Sequence, residues 1–183
     1  MRKKITSWEV PSYLKENWKD VSPELVKEVF SQAEKMLIEL VKAGESVTVK
    51  AFKVLQLSVL VMTVSLGYVL TENTECVLLL AAKISSGLSF ASIIVLAIPI
   101  WAYSTYVIGS SPSKMLNDSN LLKASDQVKT LLFSELYSYE KRINYNLTKN
   151  VKRTILVNVA MILLILVPIS LFAFWLILMW IDL

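Results

Sequence analysis

Three long apolar runs constrain what this chain can fold into. Residues 54–70 (VLQLSVLVMTVSLGYVL) carry no charge, residues 84–108 carry none after Lys83, and residues 154–181 carry none. Each reaches or approaches the ~20 apolar residues needed to cross a ~30 Å hydrocarbon layer. With 55% of 183 residues hydrophobic, the composition agrees with a membrane protein. The first 53 residues are charged throughout and lack an early apolar core, so a cleaved signal peptide is not expected.

Charge gives the expected orientation. Residues 1–53 hold ten Lys/Arg and residues 109–153 hold eight, whereas Thr71-Glu-Asn-Thr-Glu75 has two acids and no cation. The positive-inside rule then puts both large polar segments in the cytoplasm, N-terminus included, and the 71–75 turn and C-terminus outside. Trp101, Tyr103 and Tyr106 would mark the inner interface, and Trp175 and Trp180 the outer one. Counting ~20 residues back from the inner turn ends near Ile84–Leu88. Lys83 therefore reads as an outer-boundary cation snorkelling toward the headgroups, and 77–82 as part of the hairpin.

The polar segments read as helical. Ser22-Pro23-Glu24 combines a capping hydroxyl, a first-turn proline and an acid near the positive helix end. Val26, Phe30, Ala33, Leu37 and Leu40 then recur at spacings of four and three, and Val47 and Ala51 continue the stripe after Gly44. With no proline until Pro99, the helix is expected to run straight into the first span as a rod of ~70 Å. Residues 109–118 (GSSPSKMLND) are turn-forming. Leu121, Val128, Leu132, Leu136, Tyr139, Ile143 and Leu147 form a second stripe leading into the last span. The expected fold is an all-α membrane protein: three transmembrane helices with long amphipathic cytoplasmic helical extensions. Its parts are an arm (1–21), a cytoplasmic helix (22–53), a transmembrane hairpin (54–108, with spans at 54–70 and about 84–106), a cytoplasmic turn and helix (109–153), and a last span with an outward C-terminus (154–183).

Site chemistry is sparse. Histidine is absent, the single Cys76 excludes an internal disulfide and a Cys-based metal site, and no P-loop, nucleophile elbow, HExxH or GxGxxG occurs. No enzyme, metal or cofactor is expected. Polar residues within the apolar runs carry more information. Gln56 and Thr63, and Ser58 and Ser65, return to one face seven apart. Ser85, Ser89 and Ser92 follow 4–3 spacing, which permits close helix approach or pore lining. Asn146, Asn150, Thr154 and Asn158 recur every four residues as a polar ribbon. The ribbon reads either as inter-helix hydrogen bonds or as the inner mouth of a conduit. Lys50, Lys53, Lys149, Lys152 and Arg153 flank the inner span ends, where such cations fix topology and attract anionic lipids. Trp8, Tyr13 and Trp18 lie among charges in the arm and could rest on the membrane interface or dock a protein partner, the preferred reading; the cations are too sparse for nucleic acid.

This order of features resembles small prokaryotic membrane effectors of antiviral defence: the SLATT and Pycsar-effector type, and membrane effectors associated with short Argonautes. The resemblance rests on EVFSQAEKMLIELVKAGESVTVKAFKVLQLSVLV (28–61), the tight outer hairpin, IGSSPSKML (108–116) and SELYSYEKRINYNLTKNVKRTILVNVAMILL (134–164). It implies a homo-oligomeric effector in the bacterial or archaeal plasma membrane that depolarises or permeabilises it, halting the infected cell. The sequence offers no cyclic-nucleotide-binding domain, so the expected trigger is a cytoplasmic sensor protein encoded in the same operon. A non-conducting membrane scaffold and a small-solute transporter subunit are the alternatives.

Overall fold

In a computed structural model of the chain, the described residues are 9–10, 12, 16–17, 20–70, 76–101 and 127–181. They form three helices: α1 (Pro23–Val69), α2 (Cys76–Trp101) and α3 (Gln127–Ile181). All three are long and apolar enough to cross a membrane. The arm aromatics Trp8, Tyr13 and Trp18, the connection 71–75, Tyr103, Tyr106, Leu121 and the turn 109–118 lie outside the described residues.

α1 starts where its capping residues place it. The Ser22 hydroxyl accepts from the Leu25 N–H at 3.3 Å, and the Ser22 carbonyl from the Val26 N–H at 3.3 Å. A helix begins with unpaired N–H groups, so this side-chain acceptor stabilises it, typically by ~1 kcal/mol. Pro23 occupies the first helical position, where its missing N–H costs nothing.

The chain divides into two compact units. The first comprises Met1–Glu45 and Ser104–Val151, the second Ser46–Tyr103 and Lys152–Leu183. In the first unit, α1 contributes Val26, Ala33 and Leu37 to a buried core, with Phe30 and Leu40 packed against it. α3 contributes Leu136, Tyr139 and Ile143, and Val10 and Val21 complete the cluster. The Phe30 and Tyr139 rings lie 5.0 Å apart, tilted by 58°. That is close to the edge-to-face arrangement that aromatic quadrupoles favour. Val128 is exposed and Leu147 half-buried, whereas Lys129 and Asn146 are buried. The 4–3 alternation through Leu136, Tyr139 and Ile143 lands on those two polar residues, which an apolar-only stripe passes over.

In the second unit α2 runs antiparallel to both neighbours. Residues 47–55 of α1 pack near 95–100 of α2, and Val157 and Ala160 of α3 join the same cluster. The buried positions of α1 are Ala51, Ser58 and Ser65, one every seven residues. Those of α2 are Ala81 and then Ala82, Ser85, Ser89, Ser92, Leu96 and Pro99, the last six alternating by three and four. Such a period keeps one seam of a helix on its neighbours. α2 already begins at Cys76, so residues 77–82 are helical rather than hairpin, and Lys83, two turns in, is exposed.

Candidate functional site

The polar side chains buried among the three helices of the second unit form the candidate site. Ser58 and Ser92 meet at 3.0 Å between hydroxyls. Ser58 also donates to the Val54 carbonyl one turn back, at 2.8 Å. If Ser58 gives its one proton to that carbonyl, it receives the proton of Ser92, whose hydroxyl also lies 3.2 Å from the Ala160 carbonyl of α3. A serine reaching a backbone carbonyl of another helix requires the two backbones to be close. Alanine and serine at the facing positions permit this, as small residues do between membrane helices.

On the same side of α2, the Ser85 and Ser89 hydroxyls are buried and have no hydrogen-bond partner among the described residues. The antiparallel register set by Ser58 and Ser92 carries Ser65 toward Ser85, seven residues along each helix. Gln56 and Thr63 are on the outside, where Thr63 turns its hydroxyl back to the Val59 carbonyl at 2.9 Å. Of the two seven-residue pairs in α1, it is Ser58 and Ser65 that enter the interior.

At the other end of this seam lies Arg153, only 6% exposed. Its Nε donates to the Pro99 carbonyl at 3.2 Å, and one terminal nitrogen donates to Thr48 Oγ1 at 2.6 Å. One guanidinium on α3 therefore ties α2 and α1 together. Its acceptor on α2 lies in that helix's last turn, where carbonyls carry negative partial charge and attract a cation. A rigid planar fork of donors suits two acceptors on different helices better than an ammonium does.

The expected ribbon divides. Asn146 and Asn150 are buried in the first unit, and Thr154 and Asn158 are exposed in the second. The cause is helical geometry: four residues advance 400°, so each step drifts about 40°, and four members cannot stay on one face. The buried seam instead alternates, passing from Asn146 to Asn150, then Arg153, Val157, Ala160, Leu164 and Val167. Asn150 Nδ2 donates to the Leu40 carbonyl at 2.7 Å. A Cβ built at Gly44 would lie 2.9 Å from Asn150 Oδ1, so glycine is what lets the amide lie against α1.

Among the flanking cations, Lys50, Lys53 and Lys152 are exposed, and Lys149 places its ammonium 4.8 Å from the Tyr145 ring centre. Arg153, grouped with them by its position in the sequence, is interior and hydrogen-bonded. Continuing the 4–3 count past Asn150 is the signal that finds it. As chemistry, the site offers hydroxyls, backbone carbonyls and one cation, suited to tying helices together. Compared with models of known protein families, with curated proteins and with solved structures, the chain matches none.

Proposed function

We propose that the chain is a multi-pass membrane effector that depolarises or permeabilises the cell membrane when a cytoplasmic sensor protein rearranges it. The observation that carries the membrane part is the polarity of the second unit. Its outside holds Leu60, Val64, Ile94, Ile98, Ile162 and Ile169, all exposed, while its interior holds Ser58, Ser89, Ser92 and Arg153. Such a surface is unfavourable in water and suited to lipid, where small and polar residues hold helices together. The charge distribution supports a cytoplasmic N-terminus and an outward C-terminus. The effector part rests on the resemblance to prokaryotic defence proteins.

Ser58, Ser92 and Ala160 are fully buried and in hydrogen-bonding contact, so at this level the three helices meet directly and, among the described residues, leave no gap for water. Permeation would then require several copies, or a rearrangement that separates α2 from its neighbours. Dye and ion release from vesicles containing the full chain, with and without the neighbouring gene's product, tests this reading. Release that depends on the partner is expected, and absence of both leak and depolarisation in either state would sink it. The same closed interior favours a second reading, a non-conducting scaffold for a cytoplasmic partner. That reading expects partner binding without any leak.

A further inference from the structure

α3 carries a second periodic face. Ile155, Asn158, Ile162, Ile165 and Ile169 follow at alternating spacings of three and four, and all are exposed. The buried series Arg153, Val157, Ala160, Leu164 and Val167 alternates in the same way, one or two residues out of step. That offset turns the exposed series well away from the buried seam. Four of the five exposed positions are isoleucine, between 55% and 58% exposed. Ile165 also borders an open apolar groove of about 360 Å³ that it shares with Leu57 and Val61 of α1.

Neighbouring acyl chains would satisfy the isoleucines. They would not satisfy Asn158, whose amide makes no hydrogen bond among the described residues and would face hydrocarbon, where an unpaired polar group is costly. An amide offers both donors and an acceptor, so it is complementary to a second amide. Copies inserted in one sense hold Asn158 at the same depth, which places each amide beside its counterpart. A single asparagine in a β-branched seam sets register in parallel coiled coils, and isoleucine at both seam positions favours three or four strands over two.

The geometry points to this face as the docking surface for further copies of the same chain, α3 to α3 and parallel, with Asn158 fixing the register. The inference rests on the membrane reading above and is independent of whether the assembly conducts. It is tested in the full chain carrying Cys76→Ser, with single substitutions Ile155→Cys, Ile162→Cys and Ile165→Cys. Leu156→Cys and Leu163→Cys, half-buried and turned away from the proposed face, are the controls. Each protein is oxidised in vesicles of mixed zwitterionic and anionic lipid.

Disulfide-linked dimers are expected at the three isoleucine positions and several-fold less at the controls. Adding Asn158→Leu should lower the association constant by roughly threefold to thirtyfold, the range for one interhelical hydrogen bond in lipid. Asn158→Gln should restore part of it. Equal cross-linking at controls and isoleucines, or association unchanged by Asn158→Leu, would overturn the proposal. An intact cross-linking pattern without partner-dependent dye release would remove the effector reading and leave this interface standing.

Discussion

The two units are built largely from the same two helices with the same spacing, yet they fill their seams with opposite kinds of residue. The first packs Phe30, Leu37, Leu136, Tyr139 and Ile143. The second packs Ala51, Ser58, Ser89, Ser92 and Ala160. In water, a large side chain gains ~25 cal/mol for each Å² of apolar surface withdrawn from solvent, so bulk stabilises. In hydrocarbon that gain vanishes because lipid tails are as apolar as leucine, and close approach with interhelical hydrogen bonds takes its place. The contrast is what one chain needs if its two halves are held together in different solvents.

Three substitutions sharpen or break this contrast, read as unfolding free energies of the purified chain in a mild detergent. Leu37→Ala removes a fully buried side chain from the large-residue core and should cost ~2–5 kcal/mol, the usual range for such cavities. Gly44→Ala should cost a net ~1–2 kcal/mol. The added methyl meets Asn150 Oδ1 at 2.9 Å while that amide is held by the Leu40 carbonyl, and this outweighs the ~1 kcal/mol by which alanine favours a helix. In an Asn150→Ala background that cost should largely disappear, and this coupling separates a local clash from a loss of helix flexibility. Ser92→Ala should have the smallest effect, ~0.6 kcal/mol, for its contacts with Ser58 and the Ala160 carbonyl. If Ser92→Ala cost as much as Leu37→Ala, the contrast between the two interiors would fail.

The sequence made some elements legible and left others hidden. Ser22-Pro23 announced the start of α1, and the 4–3 stripe from Val26 to Leu40 marked its buried side, because apolar periodicity records which face leaves water. The small residues Ser85, Ser89 and Ser92 also declared their face through spacing. Polar residues were harder to place. An asparagine every fourth position looks like a ribbon on paper, but the drift of the helix carries Asn158 outside while Arg153 goes in. Charge type also misled: beside Lys152, an arginine reads as one more boundary cation. The 4–3 count past Asn150 points it inward, but its partners, the Pro99 carbonyl and Thr48, are given only by the three-dimensional arrangement. The start of α2 was hidden for a related reason, since Lys83 serves equally well within a helix as at its end.

Three tryptophans of the second unit, Trp101, Trp175 and Trp180, are all on its outside, with Trp101 91% and Trp180 86% exposed. No tryptophan is among the buried residues described. The intrinsic emission of these indoles therefore senses the medium around the helices rather than the packing between them. If the second unit lies in a bilayer, a quencher dissolved among acyl chains would have access to their surfaces, whereas repacking of the serine-lined interior would leave their emission largely unchanged. These three indoles are thus a native optical gauge of the second unit's surroundings, nearly blind to its serine-lined interior.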